Sequence, residues 1–176
     1  MRHKTRHIGL LLVATLLLPC CGRVKPQGAA NRQEQDSTEL ALMQINFLMA
    51  LETDQLLVDS VRNSSLPYVL DNSNFWYCRE VKTNGQEVQK GMRVDYTAIV
   101  RDLATGALLE DITEDVEVGK RQTLRAIDIC LHLMREGETF RILAPYYNAY
   151  GRDGNDYVAP LTNVSILLTV NNITKI

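Results

Sequence analysis

Gly91-Met92-Arg93-Val94-Asp95-Tyr96-Thr97-Ala98-Ile99-Val100-Arg101-Asp102 is the stretch whose reading decides the fold. Val94, Tyr96, Ala98 and Val100 alternate with Arg93, Asp95, Thr97 and Arg101. A period of two sends one set to a core and the other to water, which is a half-buried β-strand. Toward the C-terminus, Ala104-Thr105-Gly106 marks a turn, and Leu108 to Ile112 and Val116 to Val118 read as short strands. From Gln122 to Arg135 the period changes. Leu124, Ile127, Leu131 and Met134 fall on one stripe of a helix that Gly137 stops. Thr139 to Ala144 is again a strand, Pro145 to Pro160 a long loop holding four tyrosines, and Val164, Ile166, Leu168 and Val170 a last strand. Toward the N-terminus, Thr83-Asn84-Gly85 is a hairpin signal and Phe75 to Val81 is rich in strand formers. Before it, Asp71-Asn72-Ser73-Asn74 turns the chain after Val69-Leu70. The sum is an α+β domain over about residues 66–176, an antiparallel sheet with one substantial helix on a face.

A separate helix is predicted over 37–62. Asp36 can cap it and Glu39 can reach back three residues later. Leu40, Met43, Phe47 and Leu51 share a face that Ile45, Leu48, Met49 and Leu56 widen. That face has two uses. One is packing on its own domain; the other is pairing with a second copy or gripping an unfolded client.

The N-terminus reads as an address. Arg2, Lys4 and Arg6 precede an apolar run from Ile8 to Leu18, too short to cross a membrane core and typical of a secretory signal. Leu17-Leu18-Pro19-Cys20-Cys21-Gly22 resembles a bacterial lipobox. Cys21 is the favoured acylated cysteine, with Cys20 the alternative one position earlier. A plain secreted protein with two cysteines near the cleavage point is the competing reading. Residues 1–20 are then the signal peptide and 21–36 a polar, flexible tether. A diacylglycerol plus an N-linked chain satisfies the need for more than one acyl chain in stable anchoring. No acidic run follows the cysteine, which favours the periplasmic face of a bacterial outer membrane. Loss of the signal removes three cations and no acid, moving the formal charge from −2 for 176 residues to −5 for 156. Nothing in this balance points to nucleic acid.

Seven pieces carry a resemblance in order. They are Gly91-Met-Arg-Val-Asp-Tyr96-Thr97, Gly106-Ala-Leu-Leu109-Glu110, Val116-Glu-Val-Gly119, Leu133-Met134-Arg-Glu-Gly137-Glu, Ala144-Pro145, Ala149-Tyr150-Gly151 and Val158-Ala-Pro160. Together they resemble the FKBP family of peptidyl-prolyl cis–trans isomerases over residues 88–176. Trp76-Tyr77 is similar to the lead-in strand of FKBP-like lipoproteins of Bacteroidetes. The resemblance implies a twisted antiparallel sheet wrapped on one helix, proline-containing polypeptide clients, and no cofactor or metal. It places the pocket tyrosine at Tyr96 and the acidic position at Glu110. Leu124 takes the role whose backbone N–H holds a substrate carbonyl, and Tyr150 the role whose hydroxyl bonds one. Leu109, Thr123, Ile127 and Ile166 line the pocket, with Tyr157 and Val158 in its flap. Leu109, Glu114, Ile127 and Ile166 replace aromatics of the family, which implies weakened isomerase activity or a retained, non-catalytic proline-binding groove. Tyr150 has a simpler alternative, a tyrosine that only ties down its loop, and Leu124 and Ile127 an equally plain one, core packing.

The remaining reactive side chains argue for little else. His132 is the sole histidine after residue 20, on the predicted helix, and reads as a surface or boundary residue. Cys78 and Cys130 match no zinc or redox spacing and read as buried thiols, although an oxidising compartment allows a disulfide. The two functional readings are thus an anchored prolyl isomerase that assists envelope proteins, and a non-catalytic binding module or chaperone on the same fold.

Overall fold

The computed structural model describes residues 29–175, and the side chains of residues 36–175. The predicted signal peptide, Cys20, Cys21 and residues 22–28 of the predicted tether lie outside the described residues. The elements run α1 (Ala29–Arg62), β1 (Val69–Leu70), β2 (Trp76–Val81), β3 (Arg93–Asp102), β4 (Leu108–Glu117), α2 (Arg125–Leu131), β5 (Thr139–Ala144) and β6 (Val164–Thr174), with one 3-10 turn over Tyr146–Asn148. The chain divides into two units, Met1–Met43 and Gln44–Ile176. The described part of the first unit is helical.

The second unit is one six-stranded sheet in the order β1-β2-β5-β6-β3-β4, every neighbouring pair antiparallel. The alternation in β3 is realised in full: Val94, Tyr96, Ala98 and Val100 have no exposed surface. They share a core with Phe140 and Ile142 of β5, with Ile166, Leu168 and Val170 of β6, and with Ala126, Ile127, Cys130 and Leu131 of α2. One helix therefore covers one sheet face, the α+β architecture expected. Local chemistry makes the turns. The Asp71 carboxylate accepts from the Ser73 N–H at 2.7 Å, and Asp102 accepts from the Thr105 N–H at 2.7 Å before Gly106 at φ 72°.

Four sequence expectations are corrected. The helix α1 begins at Ala29, not at 37, so Asp36 is no cap and residues 29–36 are helix rather than tether. Nothing from Ala29 to Gln35 breaks a helix, and alanine, arginine, glutamine and glutamate all favour one. The strand β4 is continuous, because every residue of it but the bulged Leu109 pairs with β3. The helix α2 is only seven residues, Arg125–Leu131. Leu124 is extended at φ −55° and ψ 141°, while the chain beyond Leu131 tightens into turns. Thr83-Asn84-Gly85 makes no hairpin, since β2 pairs with β1 and β5. Gly85 is there for close approach: a Cβ on it would lie 2.3 Å from the Glu136 carbonyl oxygen.

Within the second unit, the end of α1 packs on the domain. Leu57 and Thr53 are buried, and Leu57 lines a cavity of about 150 Å³ with Leu70 and Trp76. The Tyr147 hydroxyl donates to Asp54 at 3.0 Å. Among the earlier residues of α1, Leu40, Leu42, Met43, Ile45, Phe47, Leu48 and Leu51 are 53–67 % exposed. Cys78 and Cys130 are both buried and free, and His132 is exposed. No described helix is long and apolar enough to cross a membrane.

Candidate functional site

The site is built around β3 and β4. Tyr96 stands opposite Glu114 in the ladder. Its ring is wholly buried, and its hydroxyl donates to Glu114 Oε2 at 2.7 Å while accepting from Thr123 Oγ1 at 2.6 Å. Burial pushes this phenol well above its ordinary pKa, and Glu114 adds to the shift against the Thr123 hydrogen bond. Tyr96 thus fastens the segment before α2 to the sheet.

A β-bulge shapes the neighbouring rim. Val100 pairs with Glu110 while Arg101 pairs with Leu108, so Leu109 is the inserted residue. An unbroken strand would send Leu109 and Glu110 to opposite faces. Here Leu109 packs against the core and Glu110 meets the long loop between β5 and β6. The Tyr150 hydroxyl donates to Glu110 Oε2 at 2.6 Å, and the Asn155 amide donates to Glu110 Oε1 at 2.8 Å. Burial raises the Tyr150 pKa well above the ordinary range, and the Glu110 carboxylate, as acceptor and as charge, raises it further.

Asn155 closes the clasp. Its Oδ1 accepts from the Tyr157 N–H at 2.9 Å and the Val158 N–H at 2.7 Å, and its own N–H donates to the Val158 carbonyl at 3.0 Å. Gly154, at φ 69°, leaves room for the Val158 oxygen, which would lie 2.2 Å from a Cβ. Sequence reading passed over Asn155. The signal was Gly154-Asn155 inside a loop, a pair suited to left-handed backbone and to side-chain bonds with the following amides.

The expected site residues thus separate into groups. Tyr96, Ile127 and Ile166 belong to the core and expose nothing, and Leu109, Leu124 and Tyr150 pack against that core half-buried. Glu110 and Thr123 hold the two tyrosine hydroxyls. Val158 is buried in the flap, whereas the Tyr157 ring is 80 % exposed and only its backbone is tied in. Among the described residues, nothing accepts a hydrogen bond from the Leu124 N–H. The arrangement offers the partly exposed Leu109, Leu124 and Tyr150, with one unused backbone donor and one tyrosine hydroxyl held by a carboxylate. Among the described residues, no cluster of three metal-ligating side chains exists.

Solved structures share this architecture. A peptidyl-prolyl cis–trans isomerase from Pseudomonas syringae pv. tomato superposes with a TM-score of 0.57 at 15 % identity, over 70 % of this chain and 96 % of that one. FkpA from Escherichia coli gives 0.58 at 10 % identity, over 86 % of this chain and 75 % of its own. The N-terminal domain of FKBP42 from Arabidopsis thaliana gives 0.55 at 19 % identity, over 64 % and 94 %. The chain therefore has the FKBP fold. No family model and no curated protein matches its sequence.

Proposed function

We propose that this protein is a peptidyl-prolyl cis–trans isomerase of reduced activity. The observation that carries the reading is the unpaired Leu124 N–H beside the Tyr96, Ile127 and Ile166 core, on the fold shared with the Pseudomonas isomerase. An X-Pro bond turns over a barrier of about 18–20 kcal/mol, in tens of seconds or more unaided. The twisted amide of the transition state has lost its resonance and is less dipolar than the planar amide. An apolar, water-poor surface binds it relatively better, and that difference is the catalysis. The Leu124 N–H would hold one client carbonyl, while Leu109 supplies apolar contact to the proline. Tyr150 would hold a second carbonyl, in competition with Glu110, which holds its hydroxyl in the free protein. That competition, together with the flat area missing at Leu109 and the full burial of Ile127 and Ile166, argues for reduced turnover.

The test is acceleration of X-Pro isomerisation in short peptides by the full chain in detergent. Acceleration that Tyr150→Phe diminishes supports the reading; no acceleration of any peptide overturns it. The second reading, a binding module or chaperone, is favoured by the exposed Ile45, Phe47, Leu48 and Leu51 of α1. A second copy is the occupant this exposed apolar stretch would take in that reading, and clients are the alternative. Sedimentation of Phe47→Glu against the parent separates them: pairing predicts a loss of mass, and client holding predicts loss of aggregation suppression without it. Lipid anchoring at Cys21 in a bacterial envelope belongs to the same proposal.

A further inference from the structure

We propose that the cleft at Arg121 and Arg125 is a subsite for an acidic client side chain, an aspartate or glutamate carboxylate next to the isomerised proline. The inference rests on the reading of the groove as a proline site and names the class of client it prefers. The cleft encloses about 340 Å³ and is lined by Arg121, Thr123, Arg125, Asp128 and Ile129. It is continuous with the groove through two residues. Thr123 lines the cleft and hydrogen-bonds the Tyr96 hydroxyl, and Leu124, with its unused N–H, lies between Thr123 and Arg125 in the chain. A client strand held at Leu124 would then run beside the cleft that Thr123 and Arg125, its two chain neighbours, line.

Both arginines are uncommitted. Among the described residues, Arg93, Arg135 and Arg141 pair with carboxylates, but neither Arg121 nor Arg125 forms an ion pair. Asp128 on the cleft wall and Glu114, which shares the Tyr96 hydroxyl with Thr123, are the carboxylates nearest this cleft, and neither is paired with the arginines. The backbone adds an independent observation. Arg121 has φ 54°, a left-handed conformation that favours glycine and is uncommon for a long side chain. An arginine there carries a strain that glycine or asparagine avoids, and such strain gathers at binding sites. Guanidinium groups suit carboxylates because their planar forks donate two parallel hydrogen bonds.

The experiment uses the full chain in detergent and peptides with one X-Pro bond. Glu, Gln or Lys is placed in turn at each of the two positions before and after the X-Pro pair. Affinity is read by fluorescence anisotropy, and isomerisation separately. The expected result is about five-fold tighter binding of Glu over Gln at one position at low salt, the scale of a well-formed surface ion pair. The ratio falls toward one in high salt and in Arg121→Asn with Arg125→Gln, asparagine being chosen because it tolerates the left-handed backbone. Asp128→Asn raises the ratio, and Lys82→Gln, a charge removed elsewhere, leaves it unchanged. Equal binding of Glu and Gln at every position, or a preference that survives the double arginine variant, overturns the subsite while isomerisation of the Gln peptides leaves the enzyme reading standing. Failure of every peptide to bind overturns both.

Discussion

Replacing Tyr150 by phenylalanine removes one hydroxyl and keeps the ring packed against the core. The lost interaction is a 2.6 Å hydrogen bond from the Tyr150 hydroxyl to Glu110 Oε2. Hydrogen bonds to charged groups are worth about 1.5–3 kcal/mol, and the half-exposed setting and the Asn155 bond that Glu110 retains place this one near the lower bound. A loss of about 1.5 kcal/mol lowers the melting temperature of a domain of this size by about 5 °C. If the hydroxyl also holds a client carbonyl in the twisted state, kcat/KM for an X-Pro peptide falls about ten-fold, since about 1.4 kcal/mol is a factor of ten. Melting followed by circular dichroism and isomerisation followed by a fluorogenic peptide separate the two effects. A melting temperature within about 1 °C of the parent refutes the clasp between Tyr150 and Glu110. A lowered melting temperature with unchanged kcat/KM refutes the catalytic role and leaves a tyrosine that only ties down its loop.

Gly85→Ala is expected to destabilise the domain by about 2–4 kcal/mol, since its Cβ would meet the Glu136 carbonyl at 2.3 Å; urea denaturation measures it, and a loss below about 0.5 kcal/mol contradicts the close approach. Alkaline pH is a second lever. Tyr96 and Tyr150 have raised folded values, so they bind protons more tightly folded than unfolded. Their contribution to stability is full below about pH 10, where unfolded tyrosine ionises, and falls as the pH climbs toward the folded values. Absorbance at alkaline pH should show both phenols ionising only together with unfolding, and early titration of all seven tyrosines in the folded protein counts against their burial. Cys21→Ala is expected to move the protein from the membrane fraction to the soluble one; release by Cys20→Ala in its place puts the acyl chain one residue earlier.

The sequence exposed what local chemistry decides. The period-two pattern of β3, the Asp71 and Asp102 turns and the apolar stripe of α2 each need only a few neighbouring residues, because side chains alternate across a strand whatever the rest of the chain does. Tyr96, Leu109 and Tyr150 stand in the short pieces whose order carries the resemblance, which is why they were singled out as site residues. Asn84-Gly85 misled because a hairpin pair and a close-approach glycine look alike until the residue pressed against it, Glu136, is known.

Length of α2 and meaning of the site could not be read locally. The helix starts late where the segment before it is bound to Tyr96 by Thr123, 27 positions along the chain. The bulge at Leu109 exists only because β4 pairs with β3 out of step, and it is what lets Glu110 reach Tyr150 across 40 positions. That Arg121 and Arg125 line one cleft without an ion pair is likewise given by no local pattern. By itself, then, the sequence determined an α+β chain with its turns and its central strand, since periodicity and turn chemistry are local free energies. Only the tertiary structure decided which hydroxyl meets which carboxylate and which donor stays unused, because those pairings follow from strand order and burial across the whole sheet.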